Sequence, residues 1–168
     1  MQQTNFQKVI DFNEQFGVKI YDKPDEKIFD IDPKLINLRM NLIREEIKEL
    51  EQAVTKKDYI ETIDALADIL YVVYGMGVSI GIDLDRAFDL VHKSNMSKLC
   101  KNEQEAQDTV KWYHEQYIEN KLPYDSADYR RSEDGKYWVV YNKSTGKILK
   151  SINYNVVDLV PLIKNINT

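Results

Sequence analysis

Hydrophobic positions in this chain recur mostly at helical spacing, and the stretches between them carry Asp, Pro and Gly where helices start and stop. Phe6, Val9, Ile10, Asn13 and Phe16 share one face of a first predicted helix, which Gly17 closes as a C-cap. Residues 18–32 (VKIYDKPDEKIFDID) contain Pro24 and show no helical period, which predicts a loop. Asp32 before Pro33 is a cap-then-proline start signal for a second helix reaching about Val54. Asp58 caps a third helix, whose apolar run from Ile60 to about Ile80 is nearly unbroken; a helix apolar on most sides belongs at the centre of a fold. Gly81 ends it. Asp83 then caps a fourth helix running to about Leu99, with Leu84, Ala87, Phe88 and Val91 on one stripe, and a weakly amphipathic fifth covers Glu103 to Glu119.

After Pro123 the pattern changes. Residues 136–142 (KYWVVYN) and 147–154 (KILKSINY) read as two strands joined through Lys143-Ser144-Thr145-Gly146, and residues 156–163 add a helical turn or two, interrupted by Pro161. The pattern predicts an all-α fold, a four- to five-helix bundle over residues 1–122, with a small C-terminal β-hairpin appendage over residues 123–168. No internal repeat or low-complexity tract is present.

A length of 168 residues with 43% hydrophobic content suffices for one domain and an appendage. No run reaches the ~18 uncharged apolar residues of a membrane span, and the opening MQQTNFQKVI lacks the basic-then-apolar order of a secretory signal. A cytoplasmic chain without a membrane partner is therefore expected. Cys100 is the single cysteine, which excludes an intrachain disulfide or a Cys-rich zinc site, and His92 and His114 are too few for a His-rich one. The net charge is -5; residues 101–168 hold 10 Lys+Arg and 10 Asp+Glu, leaving 13 and 18 for the first hundred. An acidic half argues against binding a nucleic acid backbone, which asks for a basic face.

The acids sit where apolar residues are expected. On the second helix Leu35, Leu38, Leu42, Glu46, Glu49 and Ala53 fall on one stripe, with Glu45 at its edge. On the third, Glu61, Asp64 and Asp68 share a face with Ile60, Tyr71 and Gly75. Several carboxylates turned toward a core repel one another and need a compensator. Arg39 and Lys57 are too few for five acids. A divalent cation is the cheaper solution: oxygen ligands from Glu46, Glu49, Glu61 and Asp64, converging from two antiparallel helices, suit Mg²⁺, with Mn²⁺ as a substitute. Mg²⁺ usually shares its shell with substrate phosphates, so the layout implies phosphate chemistry. At the end of the fourth helix Asn95 and Lys98 lie on the same stripe as Leu84, Phe88 and Val91, and read as a nucleotide or base-edge contact and a phosphate contact.

Glu45-Glu46-Ile47-Lys48-Glu49 followed by Glu61-Thr62-Ile63-Asp64, an EExxE then ExxD pattern, resembles the signature of the MazG-like all-α NTP pyrophosphohydrolase superfamily. DALADILYVVYGMG (64–77), GIDLDRAFDLVHKSNMSK (81–98) and FNEQFGV (12–18) resemble its branch related to phosphoribosyl-ATP pyrophosphohydrolase, including dimeric dUTP-hydrolysing members. The resemblance covers about residues 5–100. It implies a helical dimer or dimer of dimers that cleaves a nucleoside triphosphate between the α and β phosphates, giving monophosphate and pyrophosphate. Carried over, Glu46, Glu49, Glu61 and Asp64 become metal ligands and Glu45 the group that orients or deprotonates the attacking water. Beside them Asn95, Lys98, Asp68 and Arg39 are expected as substrate contacts. The expected substrate is dUTP or another pyrimidine dNTP.

Two other readings stand beside this one. Phosphoribosyl-ATP of histidine synthesis keeps the chemistry, although the family's histidine enzymes are usually shorter and lack an insertion like residues 18–32 and a hairpin tail. A non-catalytic helical oligomer would use the acids for structural metal, or Tyr137, Trp138, Tyr141 and Tyr154 as a contact surface. Gly75-Met76-Gly77 with Gly81 is no dinucleotide fingerprint, because the spacing is wrong and no strand precedes it. There is no phosphate-binding loop ending in Gly-Lys-Ser/Thr, and no Ser/His/Asp or Cys/His nucleophile set. His92 reads as a surface residue, and Tyr71 and Tyr74 as packing residues.

Overall fold

The structure, a computed structural model, describes residues 3–164. The first two residues of the opening segment and the last four of the predicted appendage lie outside the described residues. In chain order the elements are α1 (Asn5–Gln15), α2 (Ile28–Ile31), α3 (Pro33–Lys56), α4 (Tyr59–Ser79), α5 (Leu84–Met96), α6 (Glu103–Ile118), β1 (Ala127–Arg131), β2 (Trp138–Asn142) and α7 (Pro161–Lys164). The fold is mostly helical with one small antiparallel hairpin. Contacts divide the chain into two compact units, residues 3–88 with 159–164 and residues 89–158, with the division falling inside α5.

The helix starts follow from local chemistry. Thr4 forms a capping box with Gln7 at α1, Asp32 accepts from the Leu35 amide with Pro33 in the first turn of α3, and Asp58 accepts from the Ile60 and Glu61 amides at α4. Asp83 accepts from the Asp85 and Arg86 amides, and Asn102 from Glu105 at α6. Inside the segment expected to be a loop, Ile28–Ile31 makes one helical turn, held by Asp30 N to Lys27 O and Asp32 N to Ile28 O. Four residues are too few to show a hydrophobic period, which is why the pattern missed it.

In the first unit α3 and α4 pack as an antiparallel pair across a two-residue turn, where Lys57 takes a left-handed conformation (φ 58°). The α3 side of the seam is Leu35, Arg39 and Ala53, all buried, with Leu42 and Glu46 between them. Leu38, placed on this stripe from the sequence, is instead 52% exposed, and Arg39 takes the interior. From α4, Ala65, Asp68, Val72, Gly75 and Ser79 recur at seam spacing. α1 packs on another face of α4, with Phe12 edge-on to Tyr71 at 5.6 Å between ring centroids, and Tyr74 donates to Asp85 Oδ1 at 2.7 Å. Both tyrosines are thus packing residues.

The remaining face of α4 is uncovered. Tyr59, Ile63, Leu66 and Leu70, at i, i+4, i+7 and i+11, are 76%, 49%, 49% and 58% exposed. Among the described residues α4 alone is long and apolar enough to cross a membrane by length and composition. A lipid-facing role fits poorly with Asp64 and Asp68 in its middle, since an acid at the centre of a spanning helix costs roughly 2.5–3.5 kcal/mol.

The second unit has its own core of Cys100, Ala106, Tyr113, Ala127, Val140 and Leu149, with α6 packed on both strands. β1 pairs with β2 in the register Ala127↔Asn142 to Arg131↔Trp138. The sequence placed the partner of residues 138–142 downstream, whereas the strand found is ADYRR, whose two arginines hide it from a hydrophobic pattern. The turn at Lys143–Gly146 does form, with Gly146 N on Asn142 O, but residues 147–154 contribute only one bridge, Ile148 to Tyr141. Buried Glu105 accepts from Ser151 Oγ and the Lys101 amide; burial raises its carboxyl, and these hydrogen bonds outweigh that and hold it below the ordinary range.

Gly81 (φ +70°) closes the end of α4, and a Cβ there would lie 2.4 Å from the Lys23 carbonyl carbon, whereas a Cβ at Gly17 (φ +66°) would meet nothing. Gly17→Ala is therefore expected to cost only the backbone strain of about 1–2 kcal/mol. Gly81→Ala adds about 1–3 kcal/mol of overpacking against backbone. Urea unfolding followed by helical circular dichroism checks the order.

Candidate active site

Along the α3–α4 seam the side chains change character from one end to the other. Arg39 is 7% exposed and enters α4 where Gly75 leaves room: a Cβ on Gly75 would lie 3.0 Å from Arg39 Nη1. Its Nε donates to Ser79 Oγ at 2.7 Å, and its Nη2 is buried without a partner. Burial lowers the guanidinium's pKa, and among the described residues no ion pair reaches it.

Two helical turns further along α3, Glu46 occupies the same face, half-buried. Its carboxyl is held above the ordinary range first by burial, then by the negative charges of Glu49, Asp68, Glu45 and Asp64. Every charge acting on Glu46 in this way is another acid. No ion pair among the described residues reaches Glu45, Glu46, Glu49, Glu61, Asp64 or Asp68. The fold thus gathers five of the six carboxylates into one field from two helices, and among the described residues pairs none of them with a cation. Glu61, one turn before Asp64, stands outside that field; its amide is held by the Asp58 cap.

The acids are less enclosed than the sequence suggested. Glu45, Glu49, Glu61, Asp64 and Asp68 are exposed in the single chain. Among the described residues no three of them are arranged as a ready-made metal cage. The donor set still suits Mg²⁺, which takes only one or two carboxylates and completes its octahedron with water and phosphate oxygens. Asn95 and Lys98 lie in the second unit, where Lys98 Nζ donates to Asn95 Oδ1 at 2.7 Å.

Asn13 on α1 carries no role in the sequence reading beyond its place on an apolar stripe. It is 1% exposed, and its Nδ2 has no hydrogen-bond partner. Asn13 and Arg39 therefore each bury a donor that lacks an acceptor, an unusual condition for native interiors. The signal was an amide at a position where helical spacing asks for a hydrophobe.

Residues 9–95 match the family model of phosphoribosyl-ATP pyrophosphohydrolase, more than half of the chain, and the protein belongs to that family. It is also similar to uncharacterized protein L479 of Acanthamoeba polyphaga mimivirus, 31% identical, with 96% of each chain covered. That similarity extends through the second unit.

A carboxyl whose folded pKa is raised binds its proton more tightly in the folded chain. Its contribution to stability is present below the unfolded value and is lost as pH rises through the folded value. Metal-free protein is therefore expected to gain melting temperature from Glu46→Gln at neutral pH, with the gain vanishing below about pH 4 where carboxyls are protonated. Calorimetry in EDTA across that range checks the sign.

Proposed function

We propose that the protein is a Mg²⁺-dependent nucleoside triphosphate pyrophosphohydrolase that cleaves between the α and β phosphates, with dUTP or another pyrimidine dNTP as substrate. The observation that carries this reading is the field of acids around Glu46, gathered from α3 and α4 with no cation to balance it. Glu46, Glu49, Glu61 and Asp64 would hold the metal, and Asp68, whose charge acts on Glu46, would contact substrate. Bound Mg²⁺ supplies neutralisation of the phosphates and polarisation of the attacking water. Glu45 is exposed at the edge of the cluster, where it can accept a proton from that water. The resemblance in the sequence adds Lys98 as an expected phosphate contact and Asn95 as an expected base or sugar contact, and within the first unit the donors of Asn13 and Arg39 that lack partners among the described residues suit an acceptor-rich ligand.

The exposed stripe Tyr59, Ile63, Leu66 and Leu70 supports self-association, since a second copy would remove it from water through an isologous helical interface. Light scattering at micromolar concentration is expected to give a mass of at least two chains, and Leu66→Glu with Leu70→Glu to return it to one.

The description of the matching family favours phosphoribosyl-ATP as a second reading. Pyrophosphate release from a panel of NTPs, dNTPs and phosphoribosyl-ATP, with Mg²⁺ or EDTA, separates the two. Metal-dependent turnover of a pyrimidine dNTP is expected, and turnover of phosphoribosyl-ATP alone would move the assignment to the second. Glu49→Gln with Asp64→Asn should lower turnover by roughly a hundredfold or more, without loss of melting temperature. A large loss of melting temperature with Mg²⁺ present would instead indicate structural metal.

A further inference from the structure

Residues 89–158 contain a cavity of about 400 Å³ lined by Trp112, Tyr113, Lys150, Ser151, Ile152 and Tyr154. It lies outside the segment matched by the family model. Its walls are three aromatic side chains and Ile152, with Trp112 and Ile152 41% and 48% exposed and Trp112 edge-on to Tyr113. Each hydroxyl of the lining has a hydrogen-bond partner. Ser151 donates to Glu105, Tyr113 accepts from the Lys150 amide at 3.1 Å, and Tyr154 shares a 2.8 Å hydrogen bond with Ser94.

Among the described residues three side-chain donors of the lining lack an acceptor: the Tyr113 O–H, the Trp112 indole N–H and the Lys150 ammonium. The ammonium sits 4.5 Å from the centroid of the Tyr154 ring, and among the described residues no carboxylate is paired to it. No Asp or Glu lines the cavity. Aromatic and aliphatic walls select a planar apolar body, and donors without acceptors, one of them positively charged, select an anion at its edge. Its volume falls within the range of small-ligand pockets.

We propose that this cavity binds a planar aromatic ligand bearing an anionic group, the chemistry of a nucleoside monophosphate, with the ring against the aromatic walls and the anion on Lys150. Stacking of a base on aromatic side chains beside a cation is the recurring arrangement for such ligands.

The chain has two tryptophans, so a ¹⁵N spectrum shows two indole resonances, and Trp112→Phe identifies the one at the cavity. Full-length protein in EDTA, which keeps metal-dependent binding at the acid cluster out of the readout, is titrated with UMP, uridine, phenyl phosphate and inorganic phosphate. Expected is a saturable shift of the Trp112 resonance with UMP. The Trp138 resonance should stay unchanged, and uridine and Lys150→Met should each weaken the effect roughly tenfold or more, with Lys150→Arg restoring it. UMP binding tighter than phenyl phosphate identifies a nucleotide site; equal affinities identify a general aryl-anion site, and both support the proposal. No saturable shift with either probe into the millimolar range would overturn it, as would equal binding by Lys150→Met.

Discussion

Apolar packing of α3 against α4 holds a group of carboxylates together in the first unit of this protein. Glu46 lies on the inner face of α3, and the charges that act on it come from Glu45 and Glu49 on its own helix and from Asp64 and Asp68 across the seam. Folding brings these groups together because the neighbouring seam positions, Leu35, Ala53 and Ala65, bury well against the facing helix. Apolar packing therefore holds in place an electrostatic cost that the chain leaves uncompensated. Such a cost is characteristic of sites whose counter-charge arrives from outside.

The one cation on the seam does not relieve it. Arg39 is spent at the other end, fixed to Ser79 and admitted by the missing side chain of Gly75. A buried guanidinium without an acid and a set of acids without a cation thus share one helix pair, separated by two turns. α4 serves three neighbours at once: α3 along the acid seam, α1 along the Phe12–Tyr71 side, and solvent along Tyr59 to Leu70. The second unit is stabilised separately, by a core that includes buried Cys100 and Tyr113 and by the satisfied Glu105 carboxylate.

Much of the fold was legible because helix signals are local. Asp32-Pro33, Asp58, Gly81 and Asp83 act within a turn of where they stand, and each marks an end in the structure. The β pairing was less legible. Which strand joins Trp138–Asn142 depends on long-range packing against α6, and ADYRR carries no alternation of its own. At the site, the spacing of Glu46, Glu49, Asp64 and Asp68 was readable from periodicity. Arg39's burial was not, since it rests on a glycine and a serine on another helix that nothing in its own neighbourhood announces.

The central claim is that the acids of α3 and α4 form a divalent-cation site, and Mn²⁺ binding measured by electron paramagnetic resonance on metal-free protein tests it most directly. Saturable binding at neutral pH is predicted, displaced by Mg²⁺ and lost in Glu46→Gln with Asp64→Asn. Absence of saturable binding into the millimolar range, or binding that survives both substitutions, would contradict the account.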